Sequence, residues 1–499
     1  MRDQIRGSSL LLIGRVLGLA LNAVVQILIV RYLSKTEYGA FAYALSIVVV
    51  AEIFASFGLD RVITRFLPIY QEHGEYGKMA GTILLVAGTV LSFGVTLILA
   101  VQGLRGFLGH SVIDSREAAT LLSILIVLAP IQALDTSLMG FFAVLGRPRQ
   151  IFLRGYVLAP GLRIAVVILV LVSGRGPSSL AAGFVVAAAI GFAVYSVVLV
   201  RTLRAQGLLR QIAAARLVVP AREIFSLTLP LLTTDLVWVL MLSSDAIILG
   251  HFRGTDAVAN FRVLQPLAEL NVIVLSSFTL LFIPLASRLF ARRNTPAMNE
   301  LYWRTAAFIA LGTFPVFALT FTLSHPLIEL LYGSRYSASA TYLTILAVGY
   351  YFQAALGFNG TTLMVIGRVG MVSVLNIAAM VINVILNLIL IPQYGALGAS
   401  IGTSASLVIH NLLKQTGLML ATGTPLLDRR YVRPYATIAA AAGVLLVIGQ
   451  VLDGTDPLRL PACLLVSAAV LFVNRDSLRI GQNFPELARI PIVRRLFRA

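Results

Sequence analysis

Long apolar runs of about 20 residues, separated by short polar or basic segments, follow one another along almost the whole chain. A run of this length is what an α-helix needs to cross the hydrocarbon core of a bilayer. The pattern predicts about fourteen membrane-spanning helices. Their approximate limits are residues 8–31, 39–59, 79–103, 118–144, 155–173, 180–203, 225–250, 258–287, 305–331, 341–366, 370–391, 397–420, 435–452 and 458–473. We therefore expect an all-α polytopic membrane protein.

Three short segments of the first half recur in the second half about 220 residues later. The pairs are residues 36–41 with 255–261, 143–147 with 364–368, and 180–183 with 397–400. Each half then holds six spans, and an even number gives both halves the same orientation in the membrane. Two parallel six-helix repeats around a central cavity, plus two C-terminal helices, are the predicted architecture, which is typical of secondary transporters.

This duplication predicts five parts of the chain. They are an N-terminal six-helix bundle (1–203), a basic interfacial linker (204–224), a C-terminal six-helix bundle (225–421), two additional transmembrane helices (422–473) and a basic cytoplasmic tail (474–499). The linker alternates basic and apolar residues. It is either a hinge that lies on the inner membrane surface or a solvated connection that its arginines hold near anionic lipid.

The composition agrees with a membrane protein and excludes a soluble one. Of 499 residues, 58% are hydrophobic and 12% are charged. The net charge of +18 comes mainly from basic residues in alternate loops, among them Arg147, Arg149 and Arg154. This distribution indicates a positive-inside topology rather than nucleic-acid binding, with both termini cytoplasmic. Cys463 is the single cysteine, which excludes an intramolecular disulfide.

Charged and polar residues inside the predicted spans are the candidate functional groups, because they are costly in lipid unless they line a wet path or find partners. Four basic residues fall inside spans: Arg15, Arg163, Arg262 and Lys414. Helical spacing places Arg15 on one stripe with Asn22 and Gln26, and Arg262 on one stripe with Gln265 and Glu269. The predicted substrate-binding residues are Arg15, Asn22, Gln26, Arg262 and Gln265.

Arginine suits an anionic substrate because a guanidinium stays charged when it is partly desolvated and donates two parallel hydrogen bonds to phosphate oxygens. The alternative is that Arg15 pairs with Glu52, and Arg262 with Glu269, as structural ion pairs. For Arg163 a structural or lipid-headgroup role is favoured over substrate binding.

Acids inside the spans are candidates for cation coupling, because transport against a gradient needs a titratable or ion-binding group in the path. The coupling residues that we predict are Asp235, Asp245, Glu269 and Glu52, with Na+ or H+ as the coupling ion; Asp135 is a further intramembrane acid. The alternative for each acid is pairing with an arginine or hydrogen bonding to a hydroxyl such as that of Ser243 or Ser244. Asn376, Asn383 and Asn387 form another stripe, which is more typical of helix–helix contacts than of a sugar site.

Three segments carry a family resemblance: residues 32–41, 245–261 and 390–403, the last containing Pro392, Tyr394, Gly395 and Thr403. They resemble the polysaccharide-transporter branch of the multidrug/oligosaccharidyl-lipid/polysaccharide exporter superfamily, and Wzx-type oligosaccharide flippases within it. The resemblance covers residues 1–420. The extra helix pair departs from the twelve-span plan of many members, although peptidoglycan-precursor flippases of the superfamily also carry it.

The resemblance implies transfer of an undecaprenyl-pyrophosphate-linked oligosaccharide from the inner to the outer leaflet, driven by a cation gradient and without ATP. It also implies membrane lipids as partners, a polysaccharide polymerase or glycosyltransferases as further partners, and cationic residues such as Arg15 in the N-terminal half.

Two other functions remain open at this point. A multidrug/cation antiporter of the same superfamily would use the intramembrane acids but not Arg15 and Arg262. A membrane glycosyltransferase or polymerase needs a large external loop with catalytic acids, whereas residues 104–117 offer only Asp114 and Glu117. No metal-ligand cluster or nucleotide-binding glycine-rich loop is found in the sequence. We therefore expect a transporter without a cofactor or metal, not an enzyme.

Overall fold

The computed structural model describes residues 2–104, 106, 115–452 and 457–478, and these residues form helices and short connections with no β-strand among them. The expected all-α polytopic architecture is confirmed. Most of the predicted basic tail and the tip of the 104–117 loop, including Asp114, lie outside the described residues.

The chain forms two compact units, Met1–Arg262 and Val263–Ala499. The α-helices of the first unit are α1 Arg2–Tyr32, α2 Lys35–Ser56, α3 Val62–Glu72, α4 Tyr76–Gly103, α5 Arg116–Leu125, α6 Leu128–Val144, α7 Pro148–Phe152, α8 Ala159–Ser173, α9 Pro177–Ala205, α10 Leu208–Ala214 and α11 Ala221–Arg262. A π-helix, Leu153–Leu158, joins α7 to α8.

The second unit continues the helical pattern. Its α-helices are α12 Gln265–Glu269, α13 Ile273–Ala291, α14 Thr295–Thr322, α15 Ser324–Tyr332, α16 Ala340–Ala355, α17 Asn359–Val365, α18 Val369–Tyr394, α19 Ala396–Thr422, α20 Val432–Val451, α21 Arg459–Val473 and α22 Arg475–Leu478. Short 3₁₀ turns lie between several of them.

Ten helical segments among the described residues are long and apolar enough to cross a membrane, or eleven if a pair bent by 48° in residues 265–291 is one span. Two shorter apolar helices, Leu17–Tyr32 and Arg459–Val473, lie at the first and last predicted spans. Leu169 and Val172 are 68% and 83% exposed, as expected where lipid replaces water around the protein. The protein is a multi-pass membrane protein, and the span count of fourteen stays a prediction.

The first unit includes α11, which the duplication assigns to the C-terminal bundle. Helix α11 packs along α2, and two glycines allow the close approach. A Cβ atom at Gly39 would lie 1.9 Å from the carbonyl oxygen of Thr255, and one at Gly250 would lie 2.2 Å from the ring of Tyr43. Two of the repeated segments, 36–41 and 255–261, therefore contact each other. The compact units divide at Arg262 because of this packing, whereas the sequence repeat divides at the linker.

Replacing Gly39 by leucine is expected to destabilise the first unit by several kcal/mol, because the new side chain collides with backbone rather than with a movable side chain. The measurement is thermal unfolding of the purified protein in detergent. Gly88→Leu is the matched control, since Gly88 is also in a helix and has open space around its Cα. Equal unfolding temperatures for the two variants would contradict the tight α2–α11 contact.

Gly254 divides α11 with a backbone that other residues adopt only under strain. Its φ is +77° and its ψ is 179°, inside an otherwise helical segment. A positive φ carries no steric cost at glycine. The kink falls between the predicted spans 225–250 and 258–287, so it accounts for the boundary between them.

Within the first unit, the linker lies against the start of α4. The Val218 N–H donates to the carbonyl of Gly77 over 3.2 Å, and a Cβ atom at Gly81 would lie 2.0 Å from the Val218 oxygen. The Tyr70 hydroxyl donates to the Glu223 carboxylate over 3.0 Å; burial, followed by this hydrogen bond, raises the pKa of Tyr70. Leu217 and Val218 remain about half exposed, at 52% and 47%, which favours the membrane-surface interpretation of the linker.

In the second unit the two additional helices pack on α14. Their buried side chains form one apolar cluster with those of α14 and α16; the largest members are Phe314, Phe317, Tyr351, Ile438 and Leu445. Arg459, which is buried, donates to the carbonyl oxygens of Gly449 over 2.7 Å and of Thr322 over 3.3 Å. This arginine therefore satisfies carbonyl groups at the C-terminal ends of α20 and α14, where a helix leaves them unpaired.

Candidate functional site

A buried ion pair in the first unit joins the helix α6 to the π-helix. Arg154 donates from Nε and from Nη2 to Oδ1 of Asp135, over 3.0 and 2.8 Å. The side chains are 6% and 24% exposed, respectively. Taking two charges out of water is costly, so such a pair is retained only with good geometry and further partners. The sequence prediction that Arg154 lies in a cytoplasmic loop is wrong.

Local structure explains why Arg154 points inward. A π-helix has a wider turn than an α-helix and is frequently found at functional sites; here it includes Arg154. Gly191 of α9 leaves room for the guanidinium, because a Cβ atom there would lie 3.1 Å from its Cζ. The Tyr195 ring, one turn further, has its centroid 5.9 Å from the same carbon, within the range of a cation–π contact. Two helices, α6 and α9, therefore hold the Arg154 side chain in place.

Arg163 lies beside this pair on α8 and has a different set of contacts. Its guanidinium carbon is 6.0 Å from the centroid of the Phe184 ring, and it is close enough to Asp135 and Arg154 for their charges to interact. It makes no hydrogen bond or ion pair with any residue that the structure describes. Val172, the most exposed apolar residue of α8, is nine residues later and about 180° away around the helix. Arg163 therefore points away from the lipid-facing side and is only partly buried.

The predicted polar stripe of α1 keeps its helical spacing. Arg15 and Asn22 are exposed and Gln26 is half-buried; Nε2 of Gln26 donates to the hydroxyl of Tyr38 over 3.4 Å. Arg15 makes no ion pair with Glu52 or with any other described residue. The alternative that Arg15 and Glu52 form a structural pair is therefore wrong, and the role of Arg15 in binding stays a prediction.

The second predicted stripe is interrupted. Arg262 ends α11 and Gln265 begins α12, while Glu269 is followed by a 3₁₀ turn over Leu270–Val272. The prediction of one continuous helical stripe is wrong because the helix breaks at Val263 and Leu264. Nη2 of Arg262 donates to the carbonyl of Leu242 over 3.3 Å. Arg262 and Gln265 are half-buried, and Glu269 is exposed.

Two of the predicted coupling acids have different surroundings. Asp235 accepts from Arg61 over 2.7 Å, and the arginine side chain is 53% exposed. This pair agrees with the alternative that Asp235 is bound to an arginine. Asp245 is 1% exposed, and its Oδ1 accepts from the N–H of Ala246 over 2.8 Å. The hydroxyl-bearing Ser243 and Ser244 next to it are also buried, so Asp245 is the more protected of the two acids.

The asparagine stripe of α18 contacts α19. Nδ2 of Asn383 donates to the Ser406 hydroxyl over 3.2 Å, and Oδ1 of Asn376 lies 2.9 Å from Nε2 of His410. Asn387 donates to Asn383 over 3.4 Å. These bonds agree with the interpretation of the stripe as a helix–helix contact.

The matches to known proteins agree with this architecture. A family model described as "Polysaccharide biosynthesis protein" matches residues 5–290, which is more than half of the chain. The chain belongs to this family of polysaccharide biosynthesis proteins. A second model, MatE, matches residues 230–389, which confirms the resemblance to the exporter superfamily.

Several known proteins are similar to the chain over most of its length. The probable low-salt glycan biosynthesis flippase Agl15 of Haloferax volcanii is 20% identical, with 82% of each chain covered. A solved structure of the lipid II flippase MurJ in an inward closed conformation has a TM-score of 0.71 and 15% identity, and the match covers 95% of this chain and 99% of that one. An inward-facing multidrug resistance MATE transporter has a TM-score of 0.58 at 16% identity, covering 81% of this chain and 94% of that one. The fold is thus that of membrane flippases and exporters.

Proposed function

We propose that the protein is a flippase that moves a polyprenyl-pyrophosphate-linked oligosaccharide from the inner to the outer leaflet by alternating access. The polyprenyl carrier is of the undecaprenyl type, the membrane is the bacterial inner membrane, and both termini are cytoplasmic. Glycosyltransferases that build the oligosaccharide and a polymerase that consumes it are the partners that this reaction needs.

The observation that carries the proposal is the arrangement of Arg163 beside the Asp135–Arg154 pair. The Asp135 carboxylate balances the positive charge of Arg154, and the charge of Arg163 remains in excess. Arg163 is turned away from lipid and makes no ion pair with a described residue, because Asp135, the acid beside it, is bound by Arg154. A guanidinium of this kind offers parallel N–H donors to phosphate oxygens. We assign Arg163 to the diphosphate, together with the predicted residues Arg15 and Arg262.

The balance of charge also bears on the antiporter alternative. A small cationic drug needs an uncompensated carboxylate in the binding site, whereas the carboxylate of Asp135 is occupied by Arg154. The net positive charge of this cluster favours an anionic substrate over a cationic one.

Replacing Arg15 or Arg262 by alanine is expected to abolish glycan export while folded protein remains in the membrane. Each change removes a guanidinium that donates paired hydrogen bonds to the diphosphate. The measurement is the amount of glycan on the outer surface of cells that depend on this protein, with protein abundance determined in the same membranes. Normal export by both variants would remove these two arginines from the site.

For energy coupling we propose Asp245, with Na+ or H+ as the driving ion. Asp245 is a buried acid inside a predicted span, and such acids mark ion paths and proton relays in membrane transporters. The other predicted acids, Glu52, Asp235 and Glu269, are more exposed than Asp245.

Asp245→Asn is expected to leave leaflet transfer in liposomes unresponsive to an imposed sodium or proton gradient, because the amide neither binds a proton nor carries charge. Asp235→Asn is the matched control. It removes a carboxylate from a solvated ion pair that contributes about 0–1 kcal/mol, and the response to the gradient should persist. A full response of the Asp245 variant would reject this assignment.

A further inference from the structure

A lysine in the interior of α19 is not accounted for by the diphosphate site. Lys414 is eight residues before the last residue of α19, about 12 Å along the helix axis, which is farther than a lysine side chain extends. Leu412 and Thr416 are exposed, and each is about 160° away from Lys414 around the helix. Lys414 therefore points away from lipid, and its amine does not reach the membrane surface by extension along the helix.

The lysine side chain lies in a slot that the neighbouring helix leaves open. A Cβ atom at Gly360 of α17 would lie 3.3 Å from Cδ and Cε of Lys414, and 3.4 Å from Nζ. Two amides hold the helices together at this level. Nδ2 of Asn359 on α17 donates to the backbone carbonyl of Asn411 on α19 over 3.1 Å and to the Asn411 side-chain Oδ1 over 3.4 Å.

The imidazole of His410 lies one turn before Lys414 and is also held in place. Its Nε2 is 2.9 Å from Oδ1 of Asn376, and an amide oxygen only accepts, so Nε2 carries the hydrogen. The two side chains are close enough for the lysine charge to act on His410. The surroundings of Lys414 are thus two amides, an imidazole and a glycine.

Lys414 has no counter-ion in the part of the chain that the structure describes. Neither a hydrogen bond nor an ion pair joins its amine to a described residue. An unpaired ammonium inside a membrane protein is costly, and such residues line the paths of substrates and ions. Since no described carboxylate balances this charge, an anionic group of an entering molecule is a suitable counter-ion.

We propose that Lys414 binds the carboxylate of an acidic sugar, such as a uronic acid, in the transported glycan. This inference rests on the proposed function and extends it to the class of glycan. Lys414 offers one positive charge next to neutral polar groups, which matches a singly charged carboxylate. The diphosphate carries more charge and suits the arginines of the first unit.

The test is calorimetric binding to the full chain in lipid nanodiscs, with trigalacturonate, neutral maltotriose and inorganic pyrophosphate as the probes. Wild-type protein is expected to bind trigalacturonate, and Lys414→Met is expected to weaken this binding at least tenfold without weakening that of pyrophosphate. Lys414→Arg should retain most of the affinity. Arg368→Met is the matched control, because it removes one positive charge from an exposed position of the same unit.

Three results would overturn the proposal: no binding of trigalacturonate by the wild type, equal affinity in Lys414→Met, or a loss that affects pyrophosphate instead. Lys414→Gln serves as a second neutral variant if the methionine variant does not fold. The two proposals can fail separately. If the protein is not a flippase, it transfers no lipid-linked glycan, but the binding of trigalacturonate would still depend on Lys414. Transfer of a neutral-glycan lipid should continue in Lys414→Met.

Discussion

Arg163→Met is expected to lower the rate of leaflet transfer of a pyrophosphate-linked glycan by about tenfold to a hundredfold. Hydrogen bonds to a charged group contribute about 1.5–3 kcal/mol, and each 1.4 kcal/mol corresponds to about tenfold. The methionine preserves much of the apolar stem, so the contact with Phe184 is largely kept. The measurement is the initial rate of transfer in liposomes that contain equal amounts of folded protein.

Two further variants separate binding from packing at Arg163. Arg163→Lys retains the charge but loses the fork of donors, and an intermediate rate is expected. Arg175→Met is the matched control, because Arg175 is exposed just beyond the end of the same helix. Wild-type rates in Arg163→Met would exclude this guanidinium from the path of the substrate.

The second large effect concerns stability. Arg154→Met and Asp135→Leu are each expected to lower the free energy of unfolding by about 3–5 kcal/mol, because each leaves one buried partner unpaired. The double variant Asp135→Leu/Arg154→Met removes both charges and is expected to recover most of this loss. The measurement is a double-mutant cycle of thermal unfolding in detergent, with Lys78→Met as a control on a more exposed ion pair.

The same cycle separates stability from transport. In the double variant Arg163 keeps its excess positive charge, so a folded protein whose transfer still depends on Arg163 is expected. Single variants as stable as the wild type would show that the pair does not hold α6 and the π-helix together.

Hydropathy was sufficient to predict the helices because lipid exposure leaves long apolar runs in the sequence. The predicted span 370–391 lies within Val369–Tyr394, and 397–420 lies within Ala396–Thr422. The break at Val263 and Leu264 could not be predicted from side-chain periodicity, since the residues on either side keep helical spacing. The approach of α2 to α11 depends on Gly39 and Gly250, whose contact partners are distant in sequence.

The site was only partly predictable for a related physical reason. The sequence identifies charged residues inside spans, and Asp135 and Arg163 are among them. It does not identify which charges meet, because the partners lie on different helices. Arg154 was missed since it comes directly before the predicted span 155–173, where a positive charge is typical of a loop. One signal in the sequence could have identified Arg154 as a candidate. It lies one residue before the predicted span 155–173, which also contains Arg163.

The most direct test of the account is reconstitution of the full chain in liposomes with a defined polyprenyl-pyrophosphate oligosaccharide in one leaflet. We predict transfer well above that of protein-free liposomes, a response to a sodium or proton gradient, and loss of transfer in Arg163→Met. Folded protein that leaves this lipid in its original leaflet, while it exchanges a cationic dye across the membrane, would contradict the account.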